Sequence, residues 1–358
     1  MKKESKIDII PQSFKLQWHI TEQCNFRCQH CYQENYDTSE MSLGEMENVL
    51  EQFIGLLEKW KIPRSRAHLT ITGGEPFLYK DFYQFLAKVY KYSVNYQWAI
   101  LSNGSLVNRE NIKILKLFKI SGYQISLEGL EENNDKIRGK GSFKKAVEGL
   151  QSLIQAGIPA IVSMTVTKEN LNDVIPLAKL LDKMRVNIFW VRRLVPWGGG
   201  AQLIDSLLEP KELWKLYRQI EKIDRNLIKK NSTLRIPPGC ENSFLITNQR
   251  ERGYCSILTG GILTLLPNGD IYPCRRLPIK IGNILETSFE EIYYSDKMKE
   301  LRDIARAPKY CRENCSKFNN CFGGAKCITY AYSGRFDIPD VQCPFACDKL
   351  DKNLYRKL

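Results

Sequence analysis

No run of apolar residues in this chain is long enough to span a bilayer. The opening MKKESKIDIIPQ carries lysines but neither an apolar h-region nor a small-residue cleavage site. Membrane insertion and signal-directed export are therefore not expected. Internal repeats and low-complexity tracts are also lacking, which sets aside solenoid and disordered-tail architectures. With 23 residues ahead of the first cysteine, no N-terminal binding domain is expected before it. The hydrophobic content, 43%, and the charged content, 26%, are those of an ordinary globular protein. With 358 residues the chain has room for a barrel-sized domain and a smaller one.

What the chain has in excess is cysteine, twelve residues in all. Disulfide frameworks belong mostly to small, loop-rich exported domains, so reduced cysteines in a cytoplasmic protein are the better expectation. Three of them, Cys24, Cys28 and Cys31, stand as C-x3-C-x2-C within TEQCNFRCQHCY. Thiolates this close together in one loop usually hold a metal or an iron–sulfur cluster. Three ligands leave one iron of a four-iron cluster without a protein ligand, and an open iron can bind a small molecule. A zinc knuckle or simply buried thiols would use the same residue type, although His30, inside the C-x2-C, is poorly placed to close a zinc site.

Downstream, strand-like runs alternate with helical periodicity six times. Strands are expected near 15–20, 68–72, 97–102, 122–127, 160–166 and 187–191. Helices are expected near 46–57, 81–92, 109–118, 142–156, 171–184 and 210–228, the first opened by a capping box at Ser42–Glu45. Alternation of this kind implies a parallel sheet with helices outside it and a site at the C-terminal ends of the strands. The cysteine loop, Gly73-Gly74-Glu75-Pro76, Ser102-Asn103 and Ser126-Leu127-Glu128-Gly129 all fall there. Each of the last three is equally compatible with ordinary turn chemistry. Arg192, Arg193, Trp197 and Gly198–Gly200 follow the last strand and would either line a pocket or form a surface loop.

From about residue 230 the periodicity fades and nine cysteines appear. Domains are expected at 1–230 and 255–358, with a bridging segment at 231–254. The C-terminal cysteines are ordered as Cys255, then Gly269-x4-Cys274, then Cys311-x3-Cys315-x5-Cys321-x5-Cys327, then Cys343 and Cys347, with Cys240 ahead of them. A pair of structural zinc sites would explain this spacing nearly as well as iron–sulfur clusters.

Together these motifs resemble the radical S-adenosylmethionine (SAM) enzymes that carry a C-terminal SPASM domain, over about residues 15–347. The resemblance implies an α/β fold, a partial (β/α)6 TIM-like barrel followed by a cysteine-rich SPASM domain. It implies a 4Fe–4S cluster on Cys24, Cys28 and Cys31, with SAM bound through Gly73, Gly74, Glu75, Ser102, Asn103, Ser126, Glu128 and Arg138, the last within Asp135–Gly139. Glu75 is expected to accept from the SAM amine and Arg138 to meet its carboxylate. One or two auxiliary 4Fe–4S clusters are implied: a first on Cys255, Cys274 and Cys327, a second on Cys311, Cys315, Cys321 and Cys343. The chain departs from the family pattern in having Cys311-x3-Cys315 for C-x2-C, and Cys327 where a cysteine would fall on Ala325. Cys240 or Cys347 is then the candidate for a missing ligand, or the first auxiliary cluster keeps an open iron.

The implied activity is reductive cleavage of SAM to a 5′-deoxyadenosyl radical that takes a hydrogen atom from a peptide or protein substrate. Outcomes in such enzymes include thioether or carbon–carbon crosslinks, epimerisation and side-chain oxidation. The implied partners are a flavodoxin- or ferredoxin-type reductant and either a separate leader-binding protein or a short substrate bound directly. A haem-precursor enzyme is the alternative, and a non-catalytic iron–sulfur electron carrier is the alternative of another class. The net charge of +13 argues only weakly for nucleic acid. One three-Cys and two four-Cys four-iron clusters would contribute about −5, and the remaining lysines spread along helices as a solvated surface.

Overall fold

The computed structural model describes residues 9–36, 39–239, 255–304 and 307–346. Six strands succeed one another in the first part: β1 (Phe14–His19), β2 (Ala67–Thr72), β3 (Gln97–Ser102), β4 (Gly122–Ser126), β5 (Ala160–Val166) and β6 (Ile188–Arg193). Each pairs in parallel with the next, from Phe14 opposite Ala67 to Val166 opposite Arg193. Sequential order with parallel pairing is the singly wound topology of a barrel, and six strands leave it open. The intervening helices are α1 (Leu43–Lys59), α2 (Phe82–Lys91), α3 (Arg109–Leu117), α4 (Glu131–Arg138), α5 (Ser142–Gln155) and α6 (Val174–Lys183), with α7 (Pro210–Lys229) after β6.

These elements form where the local chemistry directs them. Ser42 accepts from the Glu45 amide while Glu45 accepts from the Ser42 amide at 2.7 Å, so both ends of the α1 capping box are satisfied. The apolar stripe of α1 buries Met46, Val49, Leu50, Phe53 and Leu57 on the sheet. The expected helix near 171–184 begins three residues later, because Leu171–Asp173 is a 3-10 turn. Helix α4 is not signalled by periodicity: Ile137 is the one aliphatic residue in EENNDKIR. Its buried Asn134 anchors it instead, accepting from the Glu128 amide at 2.9 Å and donating to Ser142 Oγ at 2.8 Å.

The C-terminal part continues the same sheet. Strand β7 (Ile262–Leu265) pairs in parallel with the free side of β1, and β8 (Asp270–Tyr272) and β9 (Gly282–Asn283) follow antiparallel. Five short helices come next: α8 (Phe289–Tyr294), α9 (Asp296–Ile304), α10 (Lys309–Asn314), α11 (Phe318–Cys321) and α12 (Lys326–Ser333). None exceeds nine residues, too short for a period to stand out in sequence, which is why the region reads as irregular. An aromatic group joins the two parts. Trp60, which caps the C-terminus of α1, lies edge-on to Phe14 at 5.0 Å and 4.5 Å from Tyr293, and donates to Tyr294 Oη at 2.7 Å. Full burial of such rings is worth about 1.5–3 kcal/mol each. Cys240, Cys347 and most of the expected bridging segment lie outside the described residues.

Candidate active site and metal centres

The loop after β1 runs along the C-terminal edge of the sheet and is fixed from three sides. On the β2 side, the Gly74 amide donates to Thr21 O at 2.8 Å and the Glu75 amide to Gln23 O at 2.7 Å. A Cβ on Gly74 would stand 2.2 Å from Gln23 O, so only glycine allows this approach. On the α4 side, the Gln29 amide donates to Ile137 O at 3.0 Å. On the β6 side, the Gly199 amide donates to Cys31 O at 2.8 Å, and a Cβ on Gly198 or Gly199 would meet carbonyls of Cys31 or Gln29 within 2.8 Å. The Gly198–Gly200 run is therefore a clamp on the cysteine loop rather than a loose surface loop. Changing Gly74 to Ala is expected to push the loop off β2, at a cost of about 1–3 kcal/mol. Iron analysis of reconstituted protein should then show about four fewer irons, with auxiliary iron retained.

Cys24, Cys28 and Cys31 line one cavity of about 230 Å³, together with Gly73, Gly74, Ser102, Asn103, Ser126 and Arg138. The sequence did not single out Gln124 or Thr165, which also face it. All three thiols are free; burial pushes Cys24 up to about 11 and raises Cys28 as well, while Arg138 counteracts the shift at Cys28. Partly buried thiols without disulfide partners, around a space with one guanidinium on its wall, are a donor set that fits an anionic metal cluster. Loading it must expel thiol protons.

Glu75 and Glu128, both expected to bind cofactor, are not among the residues lining this cavity and stand behind its wall. Glu75 is fully buried; its carboxylate accepts from Ser102 Oγ at 2.9 Å and from the Asn103 amide at 2.9 Å, tying the end of β2 to that of β3. Burial pushes it up to about 7 against those donors. A carboxyl that holds its proton more tightly when folded stabilises the fold fully below its unfolded value near 4.5, and the benefit is lost as pH rises through about 7. Glu75→Gln, neutral throughout, is expected to remove about 3 kcal/mol of that fall. Urea unfolding of metal-free protein at the two ends of this window, variant beside wild type, checks it; equal slopes would mean Glu75 ionises normally.

Glu128 is buried beneath His30 and Arg138. Its Oε1 lies 2.9 Å from His30 Nε2 and 3.1 Å from Arg138 Nε, and its Oε2 accepts from the Thr165 amide at 2.6 Å. Burial opposes its ionisation, but His30 and Arg138 outweigh burial and hold it at about 2. Arg138 thus spends Nε and Nη2 on Glu128, and Nη1 stands 3.6 Å from Cys28 Sγ. Its fork is not free for a bidentate carboxylate; one nitrogen faces the cavity. His30 packs this carboxylate behind the loop, a role that single-sequence reading has no signal for.

Arg192 and Arg193 close β6 rather than starting a loop. Arg192 stacks over Trp190 at 4.2 Å. Arg193 is almost wholly buried and forms a bidentate pair with Asp340, 2.7 Å at the closer contact. Asp340 also accepts from the amides of Ala325 at 2.7 Å and Gln342 at 2.9 Å.

Asp340 lines a second cavity, and Cys311, Cys315, Cys321 and Cys343 meet there. Four thiols outside any disulfide on one cavity, with Cys311 pushed up to about 12 by burial, are again a donor set that fits a cluster. Cys327 and the partly buried ring of Tyr32, which directly follows Cys31, pack against one apolar cluster with Val195 and Ile328, and Cys274 also acts electrostatically on Tyr32. Lys326 is fully buried, and burial lowers its pKa against the attraction of Cys255, of the second cavity's Cys311 and Cys321, and of Asp340.

Comparison with known proteins agrees with this geometry. A family model described as the radical SAM superfamily matches residues 18–181, and one described as the SPASM iron–sulfur cluster-binding domain matches residues 255–317. Mycofactocin maturase MftC of Mycolicibacterium smegmatis is 28% identical over 341 residues, spanning 92% of this chain and 82% of that protein. An AdoMet-dependent heme synthase of Oleidesulfovibrio alaskensis is 23% identical over 352 residues, spanning 92% of this chain and 86% of its own length. Among solved structures, Streptococcus suis SuiB bound to S-adenosylmethionine superposes with a TM-score of 0.73 at 17% identity, over 92% of this chain and 77% of that one. The native anSMEcpe with bound AdoMet gives 0.71 at 16% identity, over 93% of each. These two likenesses concern the fold. No helix among the described residues is long and apolar enough to cross a membrane.

Proposed function

We propose that this chain, which belongs to the radical SAM superfamily and carries a C-terminal SPASM domain, modifies a peptide or protein by abstracting a hydrogen atom from it. The observation that carries this reading is the convergence of Cys24, Cys28, Cys31, the Gly73-Gly74 backbone, Ser102, Asn103, Ser126 and Arg138 on one cavity at the C-terminal ends of the strands. Cys24, Cys28 and Cys31 would hold a 4Fe–4S cluster and leave one iron for SAM. When bound, cluster and SAM together supply a 5′-deoxyadenosyl radical.

The chain's own residues set where that radical forms. The contacts of Gly74 and Gly199 and the bond from Gln29 to Ile137 lock the loop's backbone, Ser126 offers a hydroxyl for the nucleoside beside a wall that Ser102 and Asn103 hold in place through Glu75 and Asn25, and Arg138 Nη1 offers one charge-assisted donor beside Cys28. Cys311, Cys315, Cys321 and Cys343 would hold one auxiliary cluster, and Cys255, Cys274 and Cys327 three positions of another. Peptide chemistry is favoured by the relatives: MftC is named a maturase, and SuiB has been solved bound to its precursor peptide SuiA. A haem-precursor reading has its own support in the similarity to heme synthases over 92% of the chain.

One experiment separates the readings. Anaerobic enzyme, dithionite and SAM are incubated with a perdeuterated peptide fraction from the source cell, or with iron–coproporphyrin III, and the 5′-deoxyadenosine is weighed. Deuterium gained from the peptide fraction supports the proposal. Conversion of the tetrapyrrole favours the second reading, and absence of 5′-deoxyadenosine under every condition leaves only an electron carrier.

A further inference from the structure

Lys326 opens helix α12, next in sequence to Cys327, and none of its surface reaches solvent. Its Nζ has no hydrogen-bond partner among the described residues. The nearby carboxylate attracts it but gives it no hydrogen bond: Asp340 places its two oxygens on Arg193, on the Ala325 amide and on the Gln342 amide. The amine points instead toward the rim of the four-cysteine cavity, where a Cβ on Gly323 would stand 3.0 Å from Nζ. Cys311 and Cys321 of that cavity act on it electrostatically, and so does Cys255 of the other cysteine group. A buried ammonium without an acceptor is among the costliest features a fold can carry, and an apolar side chain of the same length would avoid the cost. The one nearby carboxylate, Asp340, is already matched by Arg193, so the position makes sense when further countercharge comes from outside the polypeptide.

We propose that Lys326 is a shared counter-cation for the two auxiliary cysteine groups, offsetting the negative charge of the iron–sulfur clusters they hold and raising their reduction potential. A four-iron cluster on thiolates is an anion, and its potential follows net charge and hydrogen bonds to its sulfurs. A cation enclosed between two such sites, away from water, acts on both at low local dielectric. The inference rests on the auxiliary clusters of the SPASM domain and is independent of which substrate the barrel takes.

The test uses the full chain with Cys24, Cys28 and Cys31 changed to Ala, so that only auxiliary clusters remain. Lys326→Met and Lys326→Arg are compared with this parent for iron content, for the midpoint potential of the reduced-cluster EPR signal, and for melting temperature with and without metal. Lys326→Met is expected to keep its iron, shift the potential downward, melt higher than the parent when metal-free and lower when loaded. Lys326→Arg is expected to restore the parent potential. Iron lost in the Met variant but kept in the Arg variant would equally support the charge role. An unchanged potential at full iron, melting shifts of one sign in both forms, or iron lost in both variants would overturn it. A parent without auxiliary iron would overturn it too, and would show that the ligand assignment had failed first.

Discussion

Replacing Cys24, Cys28 and Cys31 together by Ala is expected to abolish formation of 5′-deoxyadenosine while lowering iron from about twelve to about eight per chain. The three thiols share one cavity with Arg138, and the other described cysteines lie in the C-terminal part. The two effects should therefore separate: all of the catalysis and only a third of the metal. Anaerobic reconstitution followed by iron and sulfide analysis, variant beside wild type, reads both. About four irons falling to none, with zinc present, would make the C-terminal cysteines structural and remove auxiliary clusters from the mechanism. Loss of all iron would mean that the sites are not separate.

Asp340→Asn should be the most destabilising single change away from the thiols. The carboxylate is fully buried and each oxygen takes one nitrogen of Arg193 and one backbone amide. An Asn turns one acceptor into a donor that faces other donors, and leaves a buried guanidinium without its countercharge. Breaking such a pair from one side costs about 3–5 kcal/mol, whereas replacing both partners by apolar residues of similar volume costs far less. Urea unfolding of Asp340→Asn beside the double variant Arg193→Met/Asp340→Leu measures the difference; equal losses in the two would show that the pair itself is not what matters. Because the Cys343 amide donates to Asp340 O at 2.9 Å, the single variant should also shed iron from the four-cysteine cavity.

The barrel was legible because its signals are local. Capping at Ser42 and Glu45, alternating apolar strands and glycines at strand ends are each written in a few consecutive residues. The cysteines were legible because metal-binding thiols cluster in sequence as well as in space. What sequence did not disclose depends on long-range burial. Glu75 and Glu128 look like ligand-binding carboxylates at strand ends, yet Ser102 lies 27 residues from the one, and His30 nearly a hundred from the other, and these contacts turn both inward. Arg193 reads as a loop residue until Asp340, 147 residues later, meets it. Helix α4 has no apolar stripe because a buried Asn, rather than hydrophobic packing, holds it.

The pairing of β7 with β1 has a consequence for how this protein can be divided. A barrel cut off at residue 239 would leave the amides and carbonyls along one side of Phe14–His19 bare, on a strand whose Leu16 and Trp18 are fully buried in the intact chain. An exposed, flat, apolar strand edge recruits any passing strand. The excised barrel should thus self-associate rather than stay a small, soluble radical enzyme. The C-terminal extension is, before anything it does with iron, the cover that keeps the sheet from polymerising.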